Sequence, residues 1–415
     1  MSPTRRTALG VAILAVAAVV IPWQLAGLAV LALIAAAAAD AFAARRTPPI
    51  ERDAPHVLYL GVPARLELRS PRASAGRLRL RQPVPPDLSL EPSEAEGAIE
   101  GELRARRRGR HSLPAPAARV TGPLGLGSWD HRPGVDSEVL VYPDLPSAFR
   151  LALAVRQSRF RETGQHRRGP LGLGTEFESV RDYVPDDDVR QVNWRATARL
   201  GRPMSNEFRV EQDRDVVCLL DTGRLMAAPL AERTRLDVAI DAVAAIAAVA
   251  EELGDRCGVL AFEAELRRRV APRHRNARAV IAAVFDLEPV AVESDYDRAF
   301  HVVADLRRAF VLVLTDLLEE SAARPLLEAL PILRRRHAVA VASASDPELE
   351  AFAAAEPKAP LDVYRAAVAL DVLAARRRVA TSLRREGADV IEAPPGRLSA
   401  ACVRAYLRAK ARARL

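Results

Sequence analysis

Between Arg6 and Arg45 the chain carries one charge, Asp40. So long an uncharged run has few environments open to it, and a bilayer is the first to consider. One helix over residues 8–39 would be roughly 48 Å long, against a hydrocarbon core of about 30 Å. Pro22-Trp23-Gln24 interrupts the run near its middle. Proline disfavours helix continuation, and tryptophan prefers the membrane interface. The pattern predicts two short helices, about 7–21 and 25–39, joined by a tight turn. Arg5 and Arg6 precede the first, and Arg45 and Arg46 follow the second. Basic flanks at both outer ends are expected on the cytoplasmic side of the inner (plasma) membrane, with the large domains in the cytoplasm. A tilted single helix and a re-entrant hairpin fit the same composition. So does a cleaved export signal, with Arg5-Arg6 as a twin-arginine start and Ala41-Phe42-Ala43 as its A-x-A site. The apolar run is long for that.

The 415 residues suffice for two or three domains, and 49% hydrophobic content excludes wholesale disorder. Basic residues outnumber acidic ones 61 to 53, and only Lys358 and Lys410 are lysines. The arginines interleave with acids, so no nucleic-acid partner is expected. Cys218, Cys257 and Cys402 lie far apart with no C-x-x-C. That argues against a disulfide framework and suits a reducing compartment.

Residues 51–145 alternate apolar and polar in short runs, as in Arg77-Leu78-Arg79-Leu80-Arg81, punctuated by Pro and Gly. This predicts a small antiparallel β-sandwich. Its dense basic cluster, Arg104, Arg106, Arg107, Arg108 and Arg110, reads as a solvated hairpin arm or a contact for anionic lipid heads. From Asp215 the period changes. Val216-Val217-Cys218-Leu219-Leu220 reads as a strand buried on both faces, and residues 236–253 as a helix ending at Gly254. Further strands near 257–262, 310–314, 338–342 and 388–391 alternate with helices over 322–336, 363–385 and 398–415. A doubly wound, mostly parallel α/β sheet follows. Gly-Pro-Leu-Gly-Leu-Gly occurs twice, at 122–127 and 169–174. Asp130 and Phe177 stand where G-x-G-x-x-G needs its third glycine, so both copies read as tight turns.

No P-loop, G-x-S-x-G elbow, H-E-x-x-H or histidine pair at ligand spacing is present. No catalytic residue and no bound cofactor are expected, and Cys218 and Cys257 read as inert packing. Asp221 follows the first buried strand and Asp316 follows that of 310–315. Carboxylates at the carboxyl ends of such strands can hold a divalent cation such as Mg²⁺, or serve as helix caps.

The run Gly174-Thr175-Glu176-Phe177-Glu178-Ser179-Val180-Arg181-Asp182-Tyr183, then Pro185-Asp186-Asp187-Asp188-Val189-Arg190 and Asn193-Trp194-Arg195-Ala196-Thr197-Ala198-Arg199, resembles the signature of a bacterial membrane-protein family, domain-of-unknown-function family 58. Arg107-Arg108-Gly109-Arg110, Pro123-Leu124-Gly125-Leu126, Val141-Tyr142-Pro143 and Leu219-Leu220-Asp221 fall in family order, so the resemblance extends along nearly the whole chain. It implies a von Willebrand factor A-like domain after the signature. It also implies a MoxR-type AAA+ ATPase as partner, a role in assembling or maturing other proteins, and no enzymatic activity. Such domains bind metal through D-x-S-x-S, whereas this chain has Asp221-Thr222-Gly223-Arg224-Leu225. Thr222, Ser294 and Thr315 remain as hydroxyls, so Asp221, Asp316 and Ser294 are weak metal candidates. Asp186 stands where the signature has Gly. Within the signature, Glu176, Phe177, Arg181, Tyr183, Pro185, Asp187, Asp188, Arg190, Trp194 and Arg199 suit either a brace stapled to the sheet by ion pairs and apolar anchors, or a docking surface.

The expectation is a multidomain chain: transmembrane hairpin (1–50), β-sandwich (51–145), connector with signature (146–212) and doubly wound α/β domain (213–415). It would act as a membrane-anchored interaction protein. A metal-dependent adhesion-type module and an uncharacterised enzyme are the alternatives.

Overall fold

The structure, a computed structural model, describes residues 2–71, 76–165, 176–184, 189, 192–209, 214–317 and 320–411. It divides into two compact units, Met1–Tyr142 and Pro143–Leu415.

In the first unit, helices α1 (Arg5–Ala17) and α2 (Trp23–Ala43) pack together, with Gly10 of α1 against Leu33 of α2. α1 stops four residues before the expected Ile21. The Val19 and Val20 amides bond the carbonyls of Val16 and Ala17, turning the chain ahead of Pro22, the N-cap of α2. Apolar composition alone does not separate such a turn from helix. α2 continues past Ala39 because Asp40 is no stop signal. Its carboxylate, 3% exposed, accepts the backbone N–H groups of Leu124 (2.9 Å), Leu126 (2.8 Å) and Gly127 (2.9 Å). Among the described residues only α2 is long and apolar enough to cross a membrane, at about 31 Å; α1 reaches roughly 20 Å. Leu9, Ile13, Val16, Leu28, Leu31 and Ile34 are exposed.

The loop that holds Asp40 is the first Gly-Pro-Leu-Gly-Leu-Gly copy. It is a tight turn, closed by the Gly125 N–H on the Gly122 carbonyl, with Gly125 at φ +73°. A Cβ on Gly127 would come 2.3 Å from the Ala37 carbonyl oxygen, so glycine is required where the loop abuts α2. The second copy lies outside the described residues.

The described strands of this unit form three sheets. A five-stranded one runs Ser2–Pro3, Gly127–His131, Ala117–Thr121, Arg77–Arg81 and Glu94–Glu96 in spatial order. A four-stranded one runs Glu51–Asp53, Ala64–Arg69, Ala98–Ala105 and Leu88–Glu91. The third runs Val57–Tyr59, Ser137–Tyr142 and Gly109–Leu113. All pairs are antiparallel except Val57–Tyr59 with Ser137–Tyr142. Period-two alternation buries Leu66, Leu68, Leu80, Ile99, Leu103 and Leu113 in one core. Ser2–Pro3 pairs with Gly127–His131, which ties the start of the chain to the sheets of this unit. The basic cluster is largely engaged within the protein: Arg104 pairs with Glu102 (2.8 Å) and Arg110 with Glu138 (3.4 Å), and Arg108 is buried.

The second unit holds a six-stranded sheet: β1 (Asp215–Asp221), β2 (Arg256–Phe262), β3 (Leu266–Arg273), β4 (Ala309–Leu314), β5 (Ala338–Ala344) and β6 (Asp389–Ala393). Their order is 3-2-1-4-5-6, parallel throughout except for β3 at one edge. Helices α3 (Leu145–Gln165), α5 (Arg235–Glu252), α6 (Ala277–Val284) and α11 (Pro395–Ala411) form one layer. α7 (Tyr296–Ala304), α8 (Glu320–Arg334) and α10 (Pro360–Arg385), with α9 (Pro347–Ala354) against α10, form the other. Val217 and Leu219 of β1 join the core beneath α7, α8 and α10. α5 is almost wholly buried and rich in alanine, which lets α3 and α11 approach it closely. Gly254 follows its C-cap at φ +75°. All three cysteines are buried and free. Neighbouring Cys257 and burial push the Cys218 thiol well above its ordinary range, and burial takes Cys402 to about 12.

Candidate functional site

In a 3-2-1-4-5-6 sheet the connections reverse direction between β1 and β4, which opens a crevice at their carboxyl ends. Asp221 ends β1, and Thr315 and Asp316 follow β4. Asp221 is 1% exposed. Its Oδ1 accepts the Gly223 N–H (2.8 Å) and the Ser294 hydroxyl (2.5 Å). Its Oδ2 accepts the hydroxyls of Tyr296 (2.9 Å) and Thr315 (2.6 Å). Burial, with Asp221 beside it, raises the Tyr296 phenol well above its usual range, so it stays a protonated donor.

Asp316 is equally buried but meets cations. Its Oδ1 lies 3.0 Å from Arg235 Nη1 and 2.9 Å from Arg376 Nη2, and accepts the Ser343 hydroxyl at 3.1 Å. Both guanidiniums also donate to the Ala344 carbonyl. Asp316 Oδ2 has no hydrogen-bond partner. Of the sequence candidates Asp221, Asp316 and Ser294, the fold brings Ser294 onto Asp221. A divalent cation would need oxygen ligands here. At Asp221 the oxygens already hold four protein donors, and at Asp316 two guanidiniums occupy the cation's place. The donor set therefore does not fit such an ion. Among the described residues no group of three His, Cys, Asp or Glu stands at metal-binding distance.

Tyr296, Arg235 and Arg376 escaped the sequence reading. Arg376 left a signal: it falls in the buried stripe Ala369, Val379, Ala380, Leu383 of α10, where an unpaired charge is costly. Arg235 heads a helix whose other buried residues, the capping Asp237 apart, are apolar.

The signature segment is a strand–helix–strand module. Glu176–Asp182 pairs antiparallel with Met204–Arg209 in a separate two-stranded sheet, and α4 (Trp194–Leu200) lies between them in sequence. Asn193 caps α4 through the Ala196 N–H (2.9 Å) and donates to Asn206 (2.7 Å), and Gly201 ends the helix at φ +66°. Glu176 and Phe177 lie on the first strand. Arg181, whose Nη1 donates to the Asp182 carbonyl, and Tyr183 are half-buried. Arg199 is exposed, and Trp194 is 69% exposed. Pro185, Asp186, Asp187, Asp188 and Arg190 lie outside the described residues.

Fold and site together define a two-unit chain with an apolar N-terminal helix, antiparallel sheets and an α/β unit whose crevice is filled by its own side chains. The model of the family described as "Protein of unknown function DUF58" matches residues 179–387, half of the chain, and the protein belongs to that family. The match takes in the signature module from Ser179 onward and all the crevice residues named above. It stops short of the near-whole length over which the motif order resembled the family. Two similar proteins are the Uncharacterized protein Rv1480 of Mycobacterium tuberculosis and the Uncharacterized protein Mb1516 of Mycobacterium bovis. Each is 27% identical over 184 residues, 42% of this chain and 58% of the relative. The chain thus spans little more than half the length of these curated relatives.

Proposed function

We propose that this protein is a membrane-anchored, non-enzymatic adaptor. Its α/β unit is a von Willebrand factor A-like domain without the metal site, and it works with a MoxR-type AAA+ ATPase in assembling or maturing other proteins. The 3-2-1-4-5-6 order with one antiparallel edge strand supports the domain assignment. The partner comes from the family resemblance. The observation that carries the interaction reading is Trp194: a large indole held in solvent on a capped helix, in the family's most characteristic segment. Tryptophan and arginine are the favoured anchors of protein interfaces.

The test is Trp194→Ala with Arg199→Ala in the full chain. Docking predicts an unchanged melting temperature and at least a tenfold weaker hold on the ATPase in a pull-down from native membranes. A brace predicts a large drop in melting temperature with affinity per folded molecule intact. Metal-dependent adhesion is tested separately. Mg²⁺ or Mn²⁺ at millimolar concentration should leave the melting temperature unmoved. A rise that Asp221→Ala abolishes would restore that reading.

A further inference from the structure

The first 50 residues hold four arginines, Arg5, Arg6, Arg45 and Arg46, and one acid, Asp40. Asp40 is buried under three loop amides. All four arginines are exposed, and none forms an ion pair among the described residues. They gather at one end of the hairpin, because Thr4 and Thr7 donate to the carbonyls of Gly125 and Leu126 while Asp40 grips the same loop. At that end lies a cavity of about 600 Å³, walled by Arg45, Arg46 and Thr47 on one side and residues 120–123 on the other. The Arg45 guanidinium rests 3.8 Å from the centroid of the Phe42 ring. That contact orders the side chain without using its hydrogen-bond donors.

We propose that this cavity binds the headgroup phosphate of an acidic phospholipid. A guanidinium offers a planar fork matched to phosphate oxygens, and two adjacent forks can take both sides of one phosphodiester. The lipid, and not a free phosphate, is the ligand because of what adjoins the cavity. Away from that end, along its length, the hairpin exposes Leu9, Ile13, Leu28, Leu31 and Ile34, which belong among acyl chains. A ligand in the cavity therefore sits at headgroup depth. The inference rests on reading the hairpin as a membrane anchor and adds the lipid class to it. It also moves lipid recognition away from the cluster at Arg104–Arg110, which is largely engaged within the protein.

The experiment uses the full chain in non-ionic detergent, with phosphatidylglycerol or phosphatidylcholine of identical acyl chains, and counts retained lipid by native mass spectrometry. Phosphatidylglycerol should be retained in preference. Arg45→Gln with Arg46→Gln should weaken its retention by about 25-fold, roughly fivefold per charge near the surface. Both side chains are exposed, so the variant's melting temperature should match the parent's. Equal retention of the two lipids, or an undiminished preference in the variant, would overturn the proposal. So would displacement of the lipid by millimolar inorganic phosphate, which would reassign the cavity to a free anion. Flotation with vesicles separates the underlying reading. A chain that floats with neither lipid is no membrane protein, and the proposal falls with it. One that floats with both but shows no acidic preference loses the headgroup site alone.

Discussion

Asp40 and Asp221 are carboxylates taken out of water, and each is satisfied differently. Asp40 faces backbone amides of a glycine-rich loop, whereas Asp221 faces three hydroxyls and one amide. Asp40→Ala should leave three loop N–H groups without an acceptor and cost about 3 kcal/mol. Thermal unfolding in detergent would show it, with Asp40→Asn, which keeps one carbonyl oxygen, losing less. His337 sets a pH dependence. Its ring is buried, and the Ala309 N–H donates to its Nδ1 at 3.2 Å. A proton on that nitrogen would break the bond, and burial lowers the pKa below the ordinary 6.5. Between that lowered value and 6.5 the unfolded chain binds a proton that the folded one refuses. Stability should therefore rise with pH through this window and be lost as pH falls below about 6.5. Unfolding midpoints from pH 7 to 5 should show this slope, and His337→Phe should lose it. Asp40 was visible in the sequence as an anomaly. Its partners were not, since they lie 84 to 87 residues away and nothing local encodes that distance.

Among the elements, those that bury a whole face were legible. The runs of β1, β2, β4 and β5 are continuous and apolar, and α5 repeats at helical spacing. β3 was not found. Its sequence, Leu-Arg-Arg-Arg-Val-Ala-Pro-Arg, has no buried face to announce it, because an antiparallel edge strand covers only one flank of the sheet. The strands and helix of the signature module were not legible in the sequence because their order comes from polar bonds. Asn193 is the clearest case, capping α4 with its oxygen and reaching Asn206 with its nitrogen. Asn193→Ala should cost about 1 kcal/mol for the cap, and more with the Asn206 bond. Denaturant unfolding would measure it, and Asn193→Ser should recover the cap but not the second bond.

At the scale of the molecule, the hairpin returns to the loop it started from. With Thr4, Thr7 and Asp40 all held by residues 124–127, both outer ends of α1 and α2 should lie on one side of the bilayer. Reporters active only outside the membrane, fused at Ala44 and after Leu415, should both stay silent. Activity at Ala44 would break the hairpin topology. The pairing of Ser2–Pro3 with Gly127–His131 also imposes a timetable on biosynthesis. The ribosome releases residues 2–7 well before their partners at 124–131, so on the proposed membrane anchoring the two helices wait in lipid while some 120 residues follow. During that interval Asp40 has no amides to receive it and would sit at the membrane surface as a bare charge. Closure of the β-unit then draws it in, so completion of that unit and final seating of α2 on its loop are one event.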